Sequence, residues 1–560
     1  MDSGETALLT NLTQAPADLS WSADGSSIAF TGFVPADQEP LAKPPKMPEG
    51  ASWAPPVTVI DRMVYRADGG GYLKTGSTHV FIVAAEGGTP RQLTRGNFDH
   101  SGPLAFSPDG KQLAFSANRG ADRDLHPMNA DIHAVDIDSG DIHQLTTRDG
   151  PDHSATYSPD GRRIAYLGFD DRRQGYQVTQ LHVMNRDGSD ARVVSIGFDR
   201  DVELPTWAAD GRSLYYAYDE SGIRKIGNIG LDGRVRTLAS GVGSADIGRP
   251  YTGGDFSVSR NGDLAFAQTS PGNPGDVAVG GKGSVRVLTA LNADLFGHKL
   301  LGKVERMSWK SAHDGLGIEG WLVTPPRFDA QKKYPLILEI HGGPFTAYGP
   351  NFSVEIQRYA AAGYLVLYAN PRGSTSYGEH FGNAIHHAYP GHDFDDLMSG
   401  VDAVIARGNV DTDNLFVTGG SGGGVLTAWI VGKTDRFRAA VVAKPVINWT
   451  SFVLTADLPN FFYQYWFPAP PWEAQEQYWK RSPLSLVGNV KTPTMLLTGE
   501  ADYRTPMGET EQYYQALKLR RVPTAMVRVP EASHGLTARP SNQIAKIDNI
   551  LAWFEKFRKR

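Results

Sequence analysis

A chain of 560 residues is longer than one hydrophobic core supports, so two or more domains are expected. Charged residues make up 21% of the chain and the formal net charge is -6, without long runs of one sign, which argues against nucleic acid as a partner. No apolar stretch reaches the ~18 residues of a membrane span, so no membrane partner is expected. The chain has no cysteine, which excludes disulfides, thiolate nucleophiles and cysteine-bound zinc.

The first residues do not resemble a secretory signal. Met1 to Asn11 lack both a basic start and an apolar run. We therefore expect a cytoplasmic protein, while a processed exported protein would begin in the same way. The lack of cysteine does not distinguish the two compartments.

The first half of the chain repeats one short pattern. Each copy has an aromatic or apolar residue, then an Asp-Gly or Asn-Gly turn, then a β-strand pattern. From the second copy onward the copies lie about fifty residues apart, which is typical of repeat folds. This spacing predicts the four-stranded blades of a β-propeller with WD40-like repeats, and an array of separate β domains is the alternative. The copies are Trp21 to Gly25, Phe106 to Gly110, Tyr157 to Gly161, Trp207 to Gly211 and Val258 to Gly262.

The interval between the first two copies is longer than the others. It holds a proline-rich segment, Pro35 to Pro56, followed by Asp61 to Leu73. We interpret both as an insertion into the first blade, placed where it can cover a binding surface. The five turns and the predicted strands around Asp276 to Leu288 together indicate about six blades.

The second half alternates apolar strands with helical patterns, as in a mostly parallel sheet covered on both faces. We place the boundary near residue 300, which gives a propeller over residues 1–300 and an α/β domain over residues 301–560. The predicted strands are Leu336 to Ile340, Tyr364 to Tyr368, Leu415 to Thr418, Ala440 to Ala443, Thr494 to Thr498 and Ala525 to Val529, and the predicted helices include Asp393 to Arg407 and Met507 to Leu519.

A G-x-S-x-G motif at Gly419 to Gly423 follows one of these strands and precedes a helical pattern. This is the context of a nucleophile elbow, which needs small neighbours because its serine lies on a strained strand-to-helix turn. Ser421 is therefore the candidate nucleophile of an α/β-hydrolase domain. A glycine-rich phosphate-binding turn is the alternative, but no G-x-x-x-x-G-K-[ST] motif occurs.

A serine nucleophile needs a histidine base and an acid that orients it, in the chain order Ser, Asp, His for this fold. Asp502 follows the predicted strand that ends near Thr498, and His534 follows the next strand. Both belong at the carboxyl edge of the sheet, where ligands bind. Glu500 competes with Asp502 for the orienting role. Asp502 would alternatively be a loop cap, and His534 a surface-loop histidine.

Three further histidines precede an acidic helix start: His386, His387 and His392. They suggest a metal site, but carboxylates at a helix N-terminus stabilise the helix without an ion. We expect no metal and no cofactor.

Five strings of the second half stand out: His341 to Pro344, Asn370 to Gly378, Gly419 to Gly423, Gly499 to Pro506 and Ser533 to Gly535. Together they resemble the prolyl oligopeptidase family of serine peptidases, and most closely its acylaminoacyl-peptidase branch. The propeller repeats resemble that family more loosely.

The resemblance implies a role for each site residue. Ser421 would attack, His534 would act as base and then acid, and Asp502 would fix its tautomer. The backbone N–H groups of Gly343 and Gly422 would form the oxyanion hole. Gly422 departs from the tyrosine that is common after the nucleophile in this family, and this change leaves the donor intact while altering the pocket.

The resemblance also implies that the propeller caps the active site and admits only short or unfolded peptides. The dipeptidyl-peptidase branch holds the substrate amine with a glutamate pair, and this sequence contains no Glu-Glu dipeptide. Acylated or longer peptides are therefore favoured as substrates, and self-association into a homo-oligomer is common in such proteins.

The substrate pocket is less well defined by the sequence. The aromatic run that contains Phe461, Tyr465 and Trp466 either lines a pocket for an apolar side chain or packs in the core. Arg504 either binds a substrate carbonyl or carboxylate or forms a structural salt bridge.

Three functions remain open from the sequence. The first is a serine peptidase that cleaves short, N-acylated or oligopeptide substrates through an acyl-enzyme. The second is an esterase or small-amide hydrolase with the same triad, since the fold does not choose the substrate. The third is a propeller-based binding protein with an inactive hydrolase domain.

Overall fold

A computed structural model describes residues 8–38, 41–42, 45–244, 246–281 and 284–560. In the first half, these residues form five four-stranded antiparallel sheets of consecutive strands, with a small hairpin inserted into the first sheet. The strands are β1 Ala17–Trp21, β2 Ser27–Pro35, β3 Arg66–Ala67, β4 Gly71–Tyr72, β5 Gly76–Ala84, β6 Arg91–Gln92, β7 Ser101–Phe106, β8 Gln112–Ala117, β9 Asp131–Asp136, β10 Ile142–Gln144, β11 Asp152–Tyr157, β12 Arg163–Gly168, β13 Gln180–Asn185, β14 Arg192–Val193, β15 Glu203–Trp207, β16 Ser213–Glu220, β17 Ile223–Gly230, β18 Val235–Ser240, β19 Phe256–Val258, β20 Leu264–Ser270, β21 Asn273–Gly281 and β22 Ser284–Val287.

The expectation of about six blades is wrong for the described residues, which contain five four-stranded sheets. The strands around Asp276 to Leu288 are β21 and β22, the third and fourth strands of the fifth sheet. Each Asp-Gly or Asn-Gly turn joins the first and second strand of its own sheet, so the five turns alone equal the number of blades. Residues 282–283, between β21 and β22, lie outside the described residues.

The repeated turn is held by its serine and aspartate. Ser107 Oγ donates to Asp109 Oδ1 at 2.6 Å and accepts from Gln112 N at 2.9 Å, while Lys111 N donates to Asp109 Oδ1 at 3.2 Å. Gly110 takes a φ of 69°, a conformation that glycine adopts without a Cβ clash. The pattern read from the sequence is therefore the chemistry of a hairpin turn.

The second half forms one eight-stranded sheet in the order β23-β24-β26-β25-β27-β28-β29-β30. Its strands are β23 Lys303–Lys310, β24 Gly317–Thr324, β25 Tyr334–Ile340, β26 Leu365–Asn370, β27 Val410–Gly420, β28 Ala439–Ala443, β29 Thr494–Gly499 and β30 Thr524–Val529. All six predicted strands are confirmed, as β25 to β30. The two strands at the start, β23 and β24, were not predicted, and they pair antiparallel at one edge of the sheet.

Helices surround this sheet, and within the described ranges none is both long and apolar enough to span a bilayer. They are α1 Ala293–Phe296, α2 Val354–Ala361, α3 Glu379–Gly382, α4 Asp393–Ile405, α5 Gly422–Lys433, α6 Trp449–Thr455, α7 Pro459–Tyr465, α8 Gln475–Arg481, α9 Met507–Leu519 and α10 Pro540–Phe557, with 3-10 turns at Asn383–Ile385 and Pro483–Asn489.

The central strands are buried on both faces. In β25, Leu336 and Leu338 join one apolar cluster while Ile337 joins the cluster on the opposite face. Alternate side chains of a strand point to opposite faces, so a continuous apolar run is what a sheet covered on both sides requires. This arrangement fixes the carboxyl edge of the sheet, where β25, β27, β29 and β30 end.

The propeller loop that joins β18 to β19 inserts into the hydrolase domain. Arg249 on this loop has a side chain only 10% exposed, and its guanidinium lies 3.2 Å from Glu339 and 3.5 Å from Glu355. Glu355 also accepts from Lys546 of α10 at 2.6 Å. Removing one member of a buried charge network leaves another charge without a partner, so Arg249 couples this propeller loop to the hydrolase domain.

Arg249→Met is expected to lower the free energy of unfolding by about 3 to 5 kcal/mol, because Glu339 loses the cation that lies against it. Urea denaturation followed by tryptophan fluorescence measures the change. Arg234→Met is the matched control, since Arg234 is 84% exposed on the propeller. An unchanged unfolding midpoint in Arg249→Met would contradict this assignment.

Candidate active site

Ser421 lies on the sharp turn between β27 and α5. Its backbone has a φ of 60° and a ψ of -122°, a sparsely populated conformation for a residue with a side chain. The neighbouring glycines make the turn possible, because a Cβ on Gly419 would lie 2.6 Å from the backbone of Gly423. The strain and the tight packing hold the serine hydroxyl at the carboxyl edge of the sheet.

The structure brings Ser421, His534 and Asp502 together in one relay. His534 Nε2 lies 3.0 Å from Ser421 Oγ, and His534 Nδ1 lies 2.8 Å from Asp502 Oδ2. In the chemically consistent arrangement, the serine hydroxyl donates to Nε2 while the Nδ1–H donates to the carboxylate. This is the geometry in which an imidazole can take the proton of an attacking serine.

Asp502 is held on both of its oxygens and is almost completely buried, at 2% exposure. The Thr505 N–H donates to Oδ1 at 2.8 Å, and Oδ2 accepts from the Thr505 hydroxyl at 3.1 Å and from the histidine. Glu500, the competing acid, instead pairs with Arg528 at 2.7 Å. The structure therefore places Asp502, and not Glu500, beside the histidine.

Burial and a nearby cation lower the pKa of His534 below its ordinary 6.5. The cation is Lys444, whose Nζ donates to His534 O at 2.7 Å. Burial in turn lowers the pKa of Lys444 to about 7. Asp502 opposes these effects, since its carboxylate favours the charged imidazole.

Gly343 and Gly422, the two predicted oxyanion donors, lie side by side next to Ser421. A Cβ on Gly422 would lie 2.8 Å from Gly343 O and 2.9 Å from Tyr389 Oη. Tyr389 Oη donates to Gly422 O at 2.7 Å, so this side chain fills the space that a residue larger than glycine would need. Position 422 is therefore a glycine, and not the tyrosine common in the resembled family, at a place where the side chain of Tyr389 occupies the adjacent space.

The loop that carries Gly343 is supported from the propeller. Gly342 N donates to Tyr251 Oη at 2.7 Å, and Tyr251 follows Arg249 on the inserted loop. Tyr251 and Tyr348 also form a backbone bridge, with their rings 4.7 Å apart. The loop that carries Arg249 therefore ends directly beneath the predicted oxyanion hole.

An apolar cavity of about 330 Å³ opens next to Ser421 and His534. Phe461, Trp466 and Arg504, three of the predicted pocket residues, line it. Its other walls include Gly343, Phe345, Tyr389, Val425, Val446, Trp449, Phe452, Leu458 and Phe462.

Tyr465, the fourth predicted pocket residue, lines the larger cavity that adjoins this one and not the apolar cavity itself. Its ring stacks on Phe461, one helical turn earlier, with ring centres 4.7 Å apart. Its Oη donates to Asp171 Oδ2 of the propeller at 2.5 Å. Arg504 forms the salt bridge that was its alternative interpretation, with Nε 2.7 Å from Asp457 Oδ1, although its side chain remains 38% exposed at the cavity.

A larger, polar cavity of about 550 Å³ adjoins the apolar one and lies between the two domains. Phe345 and Phe461 form walls of both cavities. Three propeller carboxylates, those of Asp201, Glu203 and Asp219, line the polar cavity. A bound peptide can therefore extend from an apolar subsite into a polar chamber.

The histidines before α4 divide into two groups. His386 and His387 stack on each other with their rings 3.8 Å apart. His392 lies with His313 and Asp395 on the surface, with ligand atoms within 4.8 Å of one another. His392 Nδ1 lies 2.8 Å from Asp395 Oδ2, and the His313 ring stacks on the ring of His392.

Several residues that support the site were not predicted from the sequence. Thr505 lies within the Gly499 to Pro506 string and could have been found there. Lys444 follows the predicted strand β28 but carries no motif. Asp68 lies within the Asp61 to Leu73 insertion, which the sequence indicated as a cover but not as part of the site. Tyr251 and Tyr389 gave no signal, because each reaches the site through folding from a distant part of the chain.

The sequence matches known families over two regions. Residues 350–560 match the prolyl oligopeptidase family, and residues 71–246 match the TolB beta propeller domain. An uncomplexed acylaminoacyl peptidase of Pyrococcus horikoshii has a similar structure, with a TM-score of 0.81 at 21% identity over 98% of this chain and 83% of its own. That likeness shows a shared fold, a β-propeller followed by an α/β-hydrolase domain.

Curated relatives give the family. The dipeptidyl-peptidase 5 of Porphyromonas gingivalis is 28% identical over 472 residues, covering 82% of this chain and 67% of its own. The uncharacterized peptidase YuxL of Bacillus subtilis is 33% identical over 573 residues, covering 99% of this chain and 85% of its own. The chain belongs to the prolyl oligopeptidase family of serine peptidases.

Proposed function

We propose that this serine peptidase cleaves short peptides, N-acylated or oligopeptide in kind, through a Ser421, His534, Asp502 triad. The observation that carries the proposal is the pair of hydrogen-bond contacts made by His534, which lies 3.0 Å from Ser421 Oγ and 2.8 Å from Asp502 Oδ2 beside an apolar cavity. Ser421 attacks the scissile carbonyl while His534 takes its proton. His534 then protonates the leaving amine and, in the second half of the reaction, activates the water that hydrolyses the acyl-enzyme.

The negative charge that develops on the carbonyl oxygen needs two donors. Gly343 and Gly422 lie beside Ser421, and their backbone N–H groups are the proposed pair. The 330 Å³ cavity next to them accepts the side chain before the scissile bond, and its aromatic and aliphatic walls favour an apolar residue.

The polar cavity supports acylated or longer peptides over substrates that are held by a free N-terminal amine. Arg224 already donates to both oxygens of Glu203 at 2.8 Å and lies 3.4 Å from Asp219. Asp201 accepts from Tyr176 Oη at 2.6 Å and from Thr179 N at 2.8 Å. Each carboxylate thus has a partner within the protein, and none needs a substrate amine.

A second candidate is a dipeptidyl-peptidase, since relatives carry that name. The observation in its favour is the surplus of negative charge, three carboxylates against one arginine, in a cavity that adjoins the apolar subsite. A free substrate amine would be attracted there.

The deciding experiment compares p-nitroaniline release from N-acetyl-aminoacyl anilides with release from free-amine dipeptidyl anilides. We expect turnover of acetylated substrates with Phe or Leu before the scissile bond, exceeding that of Asp or Lys by about a hundredfold. Ser421→Ala should abolish both turnover and labelling by a fluorophosphonate probe, and Ser485→Ala is the matched control.

Three other outcomes would contradict the proposal. A preference for free-amine dipeptidyl anilides that is lost in Glu203→Gln would establish the dipeptidyl-peptidase instead. Rapid Ser421-dependent ester hydrolysis without anilide turnover would overturn the peptide substrates in favour of an esterase. Absence of probe labelling would overturn the triad.

The pH dependence follows from the position of His534, which must be neutral to accept a proton. Burial and Lys444 lower its pKa below 6.5, so kcat/KM is expected to fall only as the pH drops through a midpoint below that value. Lys444→Gln keeps a hydrogen-bond donor but removes the cation, and it should raise the midpoint. A wild-type midpoint at or above 6.5, or no shift in the variant, would contradict this account.

Gly422→Ala tests the proposed oxyanion hole. Its Cβ would lie 2.8 Å from Gly343 O, so the two donors must separate. We expect kcat to fall by about 10² to 10³, the effect of losing one oxyanion donor, with a smaller change in KM. Gly508→Ala on α9 is the control, because nothing lies within 4 Å of the added Cβ. Wild-type kcat in Gly422→Ala would refute the assignment.

A further inference from the structure

The β3–β4 hairpin, inserted into the first propeller sheet, reaches the catalytic domain. Arg66 donates to Thr455 O, and its guanidinium lies 5.0 Å from the centre of the Tyr503 ring. Tyr72 packs edge-on against the same ring, with centres 5.9 Å apart. The insertion thus grips the residue that follows Asp502.

The turn of this hairpin presents Asp68 to both catalytic loops. Asp68 Oδ1 accepts from the backbone N–H of His534 at 2.9 Å and from that of Tyr503 at 3.1 Å. Asp68 Oδ2 lies 3.1 Å from the same His534 N. One carboxylate oxygen therefore bridges the loop that carries the acid and the loop that carries the base.

Asp68 is itself held by the catalytic domain. Its backbone N–H donates to Asp457 Oδ2 at 2.8 Å. Asp457 in turn receives Arg504 Nε at 2.7 Å and donates its own N–H to Tyr503 O at 3.0 Å. Asp457 therefore links the β3–β4 hairpin to the loop that carries Asp502. The Arg504 salt bridge holds Asp457 in the position that this link requires.

We infer that Asp68 is a positioning residue: from the propeller insertion it holds the His534 loop against the Asp502 loop, so that docking of the hairpin completes the triad. This inference rests on the proposed function. It makes the insertion a working part of the active site and not only a cover. An undocked hairpin would leave two backbone donors without their acceptor and would free the histidine loop to shift.

The charge of Asp68 adds a second effect. The charged groups around His534 are Asp502 and Lys444 from the sheet edge and Asp68 from the hairpin. Both carboxylates raise the pKa of His534, against burial and the lysine. Loss of the Asp68 charge is therefore expected to move the acid limb of kcat/KM to lower pH, a change that a purely structural contact would not produce.

Two substitutions in the 560-residue chain separate these effects. Asp68→Ala removes acceptor and charge, and kcat is expected to fall about tenfold to a hundredfold with KM nearly unchanged, because misplaced catalytic groups reduce kcat. Asp68→Asn keeps an acceptor oxygen, so it should recover most of kcat while its acid limb stays shifted to lower pH. Asp61→Ala, an exposed position in the same insertion, is the control.

The rate of labelling of Ser421 by a fluorophosphonate gives the same comparison without a peptide substrate, and circular dichroism verifies folding. Wild-type kcat, labelling rate and acid limb in Asp68→Ala would overturn the inference alone. An equal loss of kcat in Asp68→Ala and Asp68→Asn, with the acid limb of kcat/KM unshifted in both, would also overturn the inference. Such a result would show that Asp68 affects only the stability of the fold. Failure of the wild type to label would overturn the proposed function as well.

Discussion

The position of Ser421 is the constraint on which the rest of the site depends. The serine lies at a φ of 60° between a strand buried on both faces and a helix whose first turn consists of glycines. Neither element can shift without disturbing the core, so the proposed nucleophile is fixed in space. Every other group must be brought to it by a loop, and the accuracy of the site is the accuracy of those loops.

Two of the supports come from the propeller. Tyr251 accepts from Gly342 N beneath the proposed oxyanion hole, on a loop anchored by Arg249 in the buried charges of the hydrolase domain. Asp68, on the β3–β4 hairpin, accepts from His534 N. The propeller therefore contacts both the loop of the proposed oxyanion donor Gly343 and the loop of the proposed base His534.

The sequence predicted those parts of the molecule that are encoded locally. The strands β25 to β30 follow from apolar runs, and the proximity of Ser421, Asp502 and His534 follows from strand order and the elbow motif. The count of six blades failed because two strands were assigned to a new blade, although the turns alone give the count. The facing of Tyr465 and the roles of Asp68 and Tyr251 depend on contacts between residues far apart in the chain, which no local pattern records. Part of the proline-rich insertion, residues 39–40 and 43–44, lies outside the described residues.

The most direct test of an active site built by both domains is a crystal structure of the full chain after reaction with an aryl phosphonate that carries a benzyl group. We expect a covalent bond to Ser421 Oγ, a phosphonyl oxygen within hydrogen-bonding distance of Gly343 N and Gly422 N, and the benzyl group in the apolar cavity. We also expect the hydrogen bond from His534 N to the Asp68 carboxylate to remain in place. A phosphonate on another residue, an oxygen that turns away from both glycines, or a hairpin detached from His534 in an intact adduct would contradict this account.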